Sequence, residues 1–338
     1  MKKMILGLFV VTVASGLFFG RFADVTQAKI IKLTRADFAS MNTSFIKNGA
    51  LYCKEIEKRT KGRVKITHYH SGALLKGKEA YEGVVKGIAD MAIIVQGYTP
   101  GRFPLTKAWN IPGPIMDPMV GTRIFNEMYH KFKPAELEDT KFMYAFQVPG
   151  AHLFNTVHPV RTLRDMKDLK VRCFGVTATI LKVMGATPVS MPAGAQADAL
   201  QKGLINATIT GATIKIYKLA PPLKYATLAP MTSAAFLVVM NNKTWNALPP
   251  DVQEIFKEVN KEWMYKDTQG VIDDSKAGLA WAKKQGVEII DATPEYMAGR
   301  ERGIRAVYKE YFEETAKRGL DGRGFLDEML RLAKKYQK

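Results

Sequence analysis

Residues 251–285 contain no proline, and glycine interrupts them only at 270 and 278. Ile255, Val259, Trp263, Val271, Leu279 and Ala282 recur along this stretch at helical spacing. A helix of that length runs about 50 Å, whereas a small domain is about 30 Å across. One domain cannot cover it. The helix is either kinked at a glycine or laid across two domains, and the second is the preferred reading. The strand-like runs on either side, 234–240 and 287–291, then belong to different domains. Leu248-Pro249-Pro250-Asp251 marks where the helix begins.

The remainder of the chain has the make-up to supply two bodies for that helix to join. Its 338 residues are 47% hydrophobic and 24% charged, a balance that argues against a disordered or fibrous chain. Strand and helix patterns alternate. Residues 30–34 read as a strand, and Ser44 caps a helix that runs to about Arg59. In 63–70, Val64, Ile66, His68 and His70 share one face of a strand. A helix over 78–86 and an apolar strand over 90–95 follow, then a proline-rich loop over 99–118. The pattern restarts after Gly150, with strands at 169–174, 188–191 and 205–210 and helices at 177–184 and 196–202. Strands alternating with helices imply an α/β fold with helices on both faces of each sheet. The expected first domain is 29–149 plus about 241–280. The second is 150–240 plus about 281–338.

Lys2 and Lys3 precede an uncharged run over 4–20, and Thr26-Gln27-Ala28 follows. A basic start, an apolar core and small residues before a cut form the layout of a secretory signal, with cleavage expected after Ala28. An uncleaved anchor is the rival reading: the 17 uncharged residues are slightly long for a signal core and slightly short of the roughly 20 that span a bilayer, and the Thr-Gln-Ala ending decides for cleavage. The net charge of +18 becomes +16 once Lys2, Lys3, Arg21 and Asp24 are removed. An exported basic chain points to an anionic ligand or the membrane surface rather than to nucleic acid. Cys53 and Cys173 rule out a disulfide scaffold and a four-cysteine zinc site. Nothing in the sequence brings the two together, so two buried thiols are expected.

Catalytic motifs are sparse. Gly72 to Glu79 reads G-A-L-L-K-G-K-E, with Glu79 where a phosphate-binding loop needs Ser or Thr for magnesium. A carboxylate there repels phosphate. His68 and His70 lack a third ligand at metal-site spacing, so no metal is expected. No G-x-S-x-G, H-E-x-x-H or C-x-x-C occurs, so neither enzyme activity nor a cofactor is expected. Arg172 stands out, because it lies in a strand just before a helix opens near Thr177. In open α/β sheets, ligands bind beyond the carboxyl ends of the strands, and a guanidinium offers a planar fork to a carboxylate. From pattern alone, a structural ion pair or a surface arginine is the favoured role.

The segments Lys61-Gly62-Arg63-Val64-Lys65-Ile66, Ser71-Gly72-Ala73-Leu74 and Val85-Lys86-Gly87-Ile88-Ala89-Asp90-Met91 occur in that order. After them come Thr162-Leu163-Arg164-Asp165-Met166-Lys167-Asp168-Leu169-Lys170-Val171-Arg172, Ala199-Leu200-Gln201-Lys202-Gly203 and Trp245-Asn246-Ala247-Leu248-Pro249. Their order and spacing resemble the solute-binding proteins of tripartite ATP-independent periplasmic (TRAP) transporters, the DctP-like family. The resemblance implies a periplasmic two-domain clamshell with a long domain-spanning helix, closing on an organic acid. It implies a monomer that works with the small and large TRAP membrane subunits. It makes Arg172 the arginine that pairs with the ligand carboxylate, with His152, Thr210, Gln96, Tyr98, Phe38 and Phe174 as further liners. His152 stands where sialic-acid-binding members have a second arginine. Phe38 replaces a polar residue, Val95 an acidic one and Ala193 a bulky aromatic. Fewer charged contacts imply one carboxylate on a less polar body. Two other classes share this scaffold: a ligand-sensing component of a signalling system, and an exported enzyme.

Overall fold

The computed structural model describes residues 30–337 except 114, 116 and 221. The expected signal, its apolar run and its cleavage point lie outside the described residues. The first part of the chain forms β1 (Ile31–Ala36), α1 (Ser44–Arg59), β2 (Val64–Tyr69), α2 (Ala80–Val85), β3 (Met91–Val95), α3 (Pro118–Phe132) and β4 (Thr140–Val148). The chain then crosses into β5 (His152–Asn155), β6 (Lys170–Cys173), α4 (Thr177–Val183), β7 (Thr187–Ser190) and α5 (Gln196–Gln201). β8 (Ala207–Thr210), α6 (Thr213–Ile216) and β9 (Tyr225–Leu228) complete this second set. The return passes through β10 (Ala234–Asn241), α7 (Asn242–Ala247) and α8 (Pro250–Lys284). β11 (Glu288–Asp291), α9 (Pro294–Lys317) and α10 (Gly322–Tyr336) end the chain.

Two sheets result, ordered β2-β1-β3-β10-β4 and β11-β9-β5-β8-β6-β7. In the first, β1 runs parallel to β2 and β3, and β10 is antiparallel to β3 and β4. In the second, β6 runs parallel to β7 and β8, and β5 is antiparallel to β8 and β9. Each sheet is covered on both faces, as the alternating pattern implied. One core joins the α2–α3 side of the first sheet to the α4–α9 side of the second. Two others lie beneath α8, one in each domain.

α8 is one continuous helix of 35 residues. Val252, Phe256, Val259, Trp263 and Val271 face the first domain, and Ala282 faces the second. Its two glycines are sites of close approach. A Cβ at Gly270 would lie 2.7 Å from the Ser44 hydroxyl, and one at Gly278 would lie 2.9 Å from the Gly211 carbonyl oxygen.

Three expectations need correction. β10 lies between β3 and β4, so residues 234–240 belong to the first sheet; their apolar run is continuous and carries no mark of which sheet it joins. α10 packs on the first domain, with Phe325 against Phe132 and Trp109, so the region 281–338 is divided between domains. Ser44 is the first residue of α1 rather than its cap. Thr43 stands at the cap, but its hydroxyl donates back to the Ser40 carbonyl at 2.7 Å rather than capping the helix, and the Ser44 N–H donates to Asp274 of α8 at 2.8 Å. Cys53 and Cys173 are both free and buried, and burial pushes the Cys53 thiol up to about 12. The segment over 72–79 is a turn between β2 and α2 in which the Lys76 N–H donates to Glu79.

Candidate functional site

The sequence candidates gather where strands end. Phe38 follows β1, Gln96 and Tyr98 follow β3, Arg172 and Phe174 stand at the end of β6, and Thr210 ends β8. β5 runs the opposite way, so its first residue, His152, sits directly opposite Thr210. The two domains meet here. The Tyr98 ring stands edge-on to Phe174 at 5.6 Å, and the Ala193 N–H donates to the Tyr98 hydroxyl at 3.2 Å.

A cavity of about 90 Å³ opens at this junction, bounded by Arg172, Tyr98, Phe174, Thr210 and Ala193. Phe236 from β10 and Val271 and Ser275 from α8 add to its wall. The wall is mostly apolar and aromatic, with a few polar groups, the usual make-up of a small-molecule site. A larger cavity of about 210 Å³ lies on the far side of Phe174. Arg172 does not line that one, so the smaller cavity holds the distinctive charge.

Arg172 is 2% exposed. Its Nε donates to the Met191 carbonyl at 3.0 Å and its Nη1 to the Ile209 carbonyl at 3.3 Å. The guanidinium carbon lies 5.3 Å from the Phe174 ring centre. Nη2 has no hydrogen-bond partner among the described residues. Two other arginines are as deeply buried, Arg35 and Arg300, and each has a carboxylate, Asp37 and Glu301. Among the described residues no carboxylate lies within ion-pair distance of Arg172. Burying an uncompensated charge is costly, so a buried guanidinium held by two carbonyls is poised for an anion.

The other candidates divide. Thr210 lines the cavity, and its hydroxyl is hydrogen-bonded to that of Thr213. Phe38 stands behind Tyr98 at 5.6 Å and supports the wall without bounding the cavity. Gln96 is committed elsewhere: its Nε2 donates to the Thr106 hydroxyl, its Oε1 accepts from Asn110 at 2.8 Å, and it lines the larger cavity. His152 shares the sheet face of Thr210 but does not bound the cavity. Burial lowers its pKa, only partly opposed by the Ala229 carbonyl, and its Nδ1 has no partner among the described residues. Its burial thus favours the neutral imidazole over the cation. Val95 is a buried strand residue at 1% exposure, so an apolar residue suits its place.

Sequence reasoning missed Phe236, Val271 and Ser275, which arrive from β10 and α8. It also missed a buried charged cluster on the α8 side of the first domain. Arg35 Nε donates to Asp37 Oδ2 at 2.9 Å, and His68 Nε2 lies 2.9 Å from the same oxygen. Burial alone would raise the Asp37 carboxyl, but Arg35 and His68 outweigh it and hold the group below its usual range. Asp267 of α8 is fully buried and accepts from the Tyr144 hydroxyl at 2.9 Å. Burial pushes Asp267 up to about 7 against the pull of Arg35. Its spacing gave a signal, because Asp267 lies four residues from both Trp263 and Val271 on the apolar stripe.

Known proteins share this architecture. A solute-binding protein from Albidiferax ferrireducens is 26% identical over 256 residues, spanning 71% of this chain and 73% of that one. The crystal structure of a TRAP periplasmic solute-binding protein from Desulfovibrio salexigens matches with a TM-score of 0.78 and 30% identity. The match covers 90% of this chain and 96% of that one, and the C-terminus of a symmetry mate is bound in the ligand site of that protein. A marine metagenome TRAP solute-binding protein specific for aromatic acids, solved with metahydroxyphenylacetate, matches with a TM-score of 0.85 at 21% identity. It covers 91% of this chain and 100% of that one. The model of the DctP family, bacterial extracellular solute-binding protein family 7, matches residues 36–315. With the second sheet, all of the first sheet except most of β1, α8 and the Arg172 cavity inside that span, the chain belongs to the DctP family of TRAP solute-binding proteins.

Proposed function

We propose that the Arg172 cavity takes a small organic monocarboxylate with an apolar, aromatic-sized body, and that the loaded receptor delivers it unchanged to TRAP membrane subunits. One observation carries the reading: Arg172 is the deeply buried arginine that has no carboxylate of its own among the described residues. Its fork is fixed by the Met191 and Ile209 carbonyls, which leaves Nη2 for a ligand. The rings of Tyr98, Phe174 and Phe236 support an apolar ligand body, while Thr210, Thr232 and Ser275 offer hydroxyls to a polar substituent. The family binds small organic acids outside the cytoplasm and works with TRAP membrane subunits, which supports the transport role. The aromatic-acid ligands of the marine metagenome protein are of the same chemical class, although at 21% identity that likeness concerns the fold.

The test starts with the natural ligand. Small molecules released by denaturing freshly purified protein are identified by mass spectrometry. Calorimetry then compares the acid with its primary amide, which has nearly the same shape and no charge. The acid is expected to bind at least about 30-fold more tightly, the lower end of the loss when one partner of a buried charge pair is removed. Equal affinities for acid and amide would sink the carboxylate reading.

A further inference from the structure

The two cavities at the domain junction share one lining residue among the described residues, Phe174. Along the loop after β3, Gly97 faces the larger cavity, Tyr98 the smaller and Thr99 the larger. Along the segment entering β10, Thr232 faces the smaller, Ser233 the larger and Ala234 the smaller. Each of these runs alternates between compartments, so the backbone itself is part of the wall. The Phe174 ring is the side chain that completes it, set edge-on to Tyr98 and 5.3 Å from the Arg172 guanidinium carbon.

The volumes give this wall a consequence. The Arg172 side offers about 90 Å³, and the far side about 210 Å³. A carboxylate bound at Arg172 places the body of its ligand against Phe174 within the smaller space. We propose that Phe174 fixes ligand length: its ring ends the Arg172 cavity and denies longer acids the compartment beyond. This rests on the reading of the Arg172 cavity as the carboxylate site. The far compartment is polar at Asn110, Ser190 and Ser233 and holds the Lys107–Glu314 ion pair at its edge. An acid long enough to enter it would meet hydroxyl and amide groups there.

The experiment measures the affinities of benzoate, phenylacetate, 3-phenylpropionate and 4-phenylbutyrate by calorimetry on the signal-free protein. It compares wild type with Phe174→Ala and with Phe174→Leu, the milder change that keeps an apolar side chain. Wild type is expected to bind one of the two shorter acids best and to lose affinity with each added methylene. In Phe174→Ala the optimum moves to a longer acid, with about a four-fold gain for each methylene that enters the opened space. Phe174→Leu falls between the two. Losing the ring beside Arg172 weakens every acid by a common factor, so the ratio along the series is the readout. Identical ratios in all three proteins would overturn the length role and leave the carboxylate site standing. If wild type and both variants bind none of the four acids, the aromatic-acid reading fails and this inference fails with it.

Discussion

Replacing Arg172 separates a ligand anchor from a structural arginine, because the two roles move stability and affinity differently. At 2% exposure, the guanidinium has given up its water. Two of its nitrogens recover hydrogen bonds from the Met191 and Ile209 carbonyls, and Nη2 does not. A bound carboxylate supplies both the missing bond and the counter-charge. Arg172→Ala should therefore cost about 2–5 kcal/mol of binding, as when one partner of a buried charged pair is removed. That corresponds to a loss of roughly 30- to 4,000-fold in affinity. Arg172→Lys retains the charge but cannot hold two carbonyls and a carboxylate with a planar fork, so its loss should be smaller but clear. Arg172→Met is the informative third variant. It fills similar space without charge, and replacing a buried ion by an apolar side chain is often neutral or stabilising. Its unliganded melting temperature should match or exceed wild type while binding collapses. Calorimetry with the identified acid and thermal melts of the unliganded proteins provide the two readouts. Near-wild-type affinity in a folded Arg172→Ala protein would refute the anchor. A Met variant that loses stability in step with affinity would make Arg172 a fold residue instead.

Three further outcomes follow from buried groups and from the chain's start. Asp267 binds a proton more tightly in the folded state than in the unfolded chain, so its contribution to stability falls as pH rises from about 4 to 7. Asp267→Asn should leave stability at pH 4 nearly unchanged and raise it above pH 7, with a ceiling of about 4 kcal/mol for a three-unit shift; parallel stability–pH curves for the two proteins would contradict this. Gly278→Leu forces a side chain against Gly211 and Ala212, both on the cavity wall, so it should cost about 1–3 kcal/mol in denaturant melts and weaken ligand binding as well. Unchanged melts would show that the helix can move aside freely. The mature protein should begin at Lys29, and an intact mass that still includes residues 1–28 would rule out cleavage after Ala28.

What the sequence made legible was whatever depends on local pattern. The long helix showed itself by the absence of proline and by Val259, Trp263 and Val271, and Arg172 by its position in a strand before a helix. The resemblance brought Thr210, Tyr98 and Phe174 to the cavity, and it brought Phe38 to the layer just behind. Side-chain direction was the limit. Gln96 follows β3 in sequence like Tyr98, but its amide is claimed by Thr106 and Asn110, partners 10 and 14 residues away. Phe236, Val271 and Ser275 reach the cavity only because β10 enters the first sheet and α8 crosses the junction. A uniformly apolar strand gives no clue to its neighbours, so that part of the wall depended on tertiary structure.

The placement of β10 bears on how the chain is made. Phe236 pairs with Val95 on one side and with Phe146 on the other, so the strand that joins β3 to β4 arrives about ninety residues after β4. No N-terminal fragment can close the first sheet, and the second waits for β11 to complete its edge. Pairings this distant in sequence carry a large entropy of closure and form slowly. While the chain is being synthesised, its early segments lack the partner that would lock them. Both sheets are therefore complete only once β10 and β11, late in the chain, have been made.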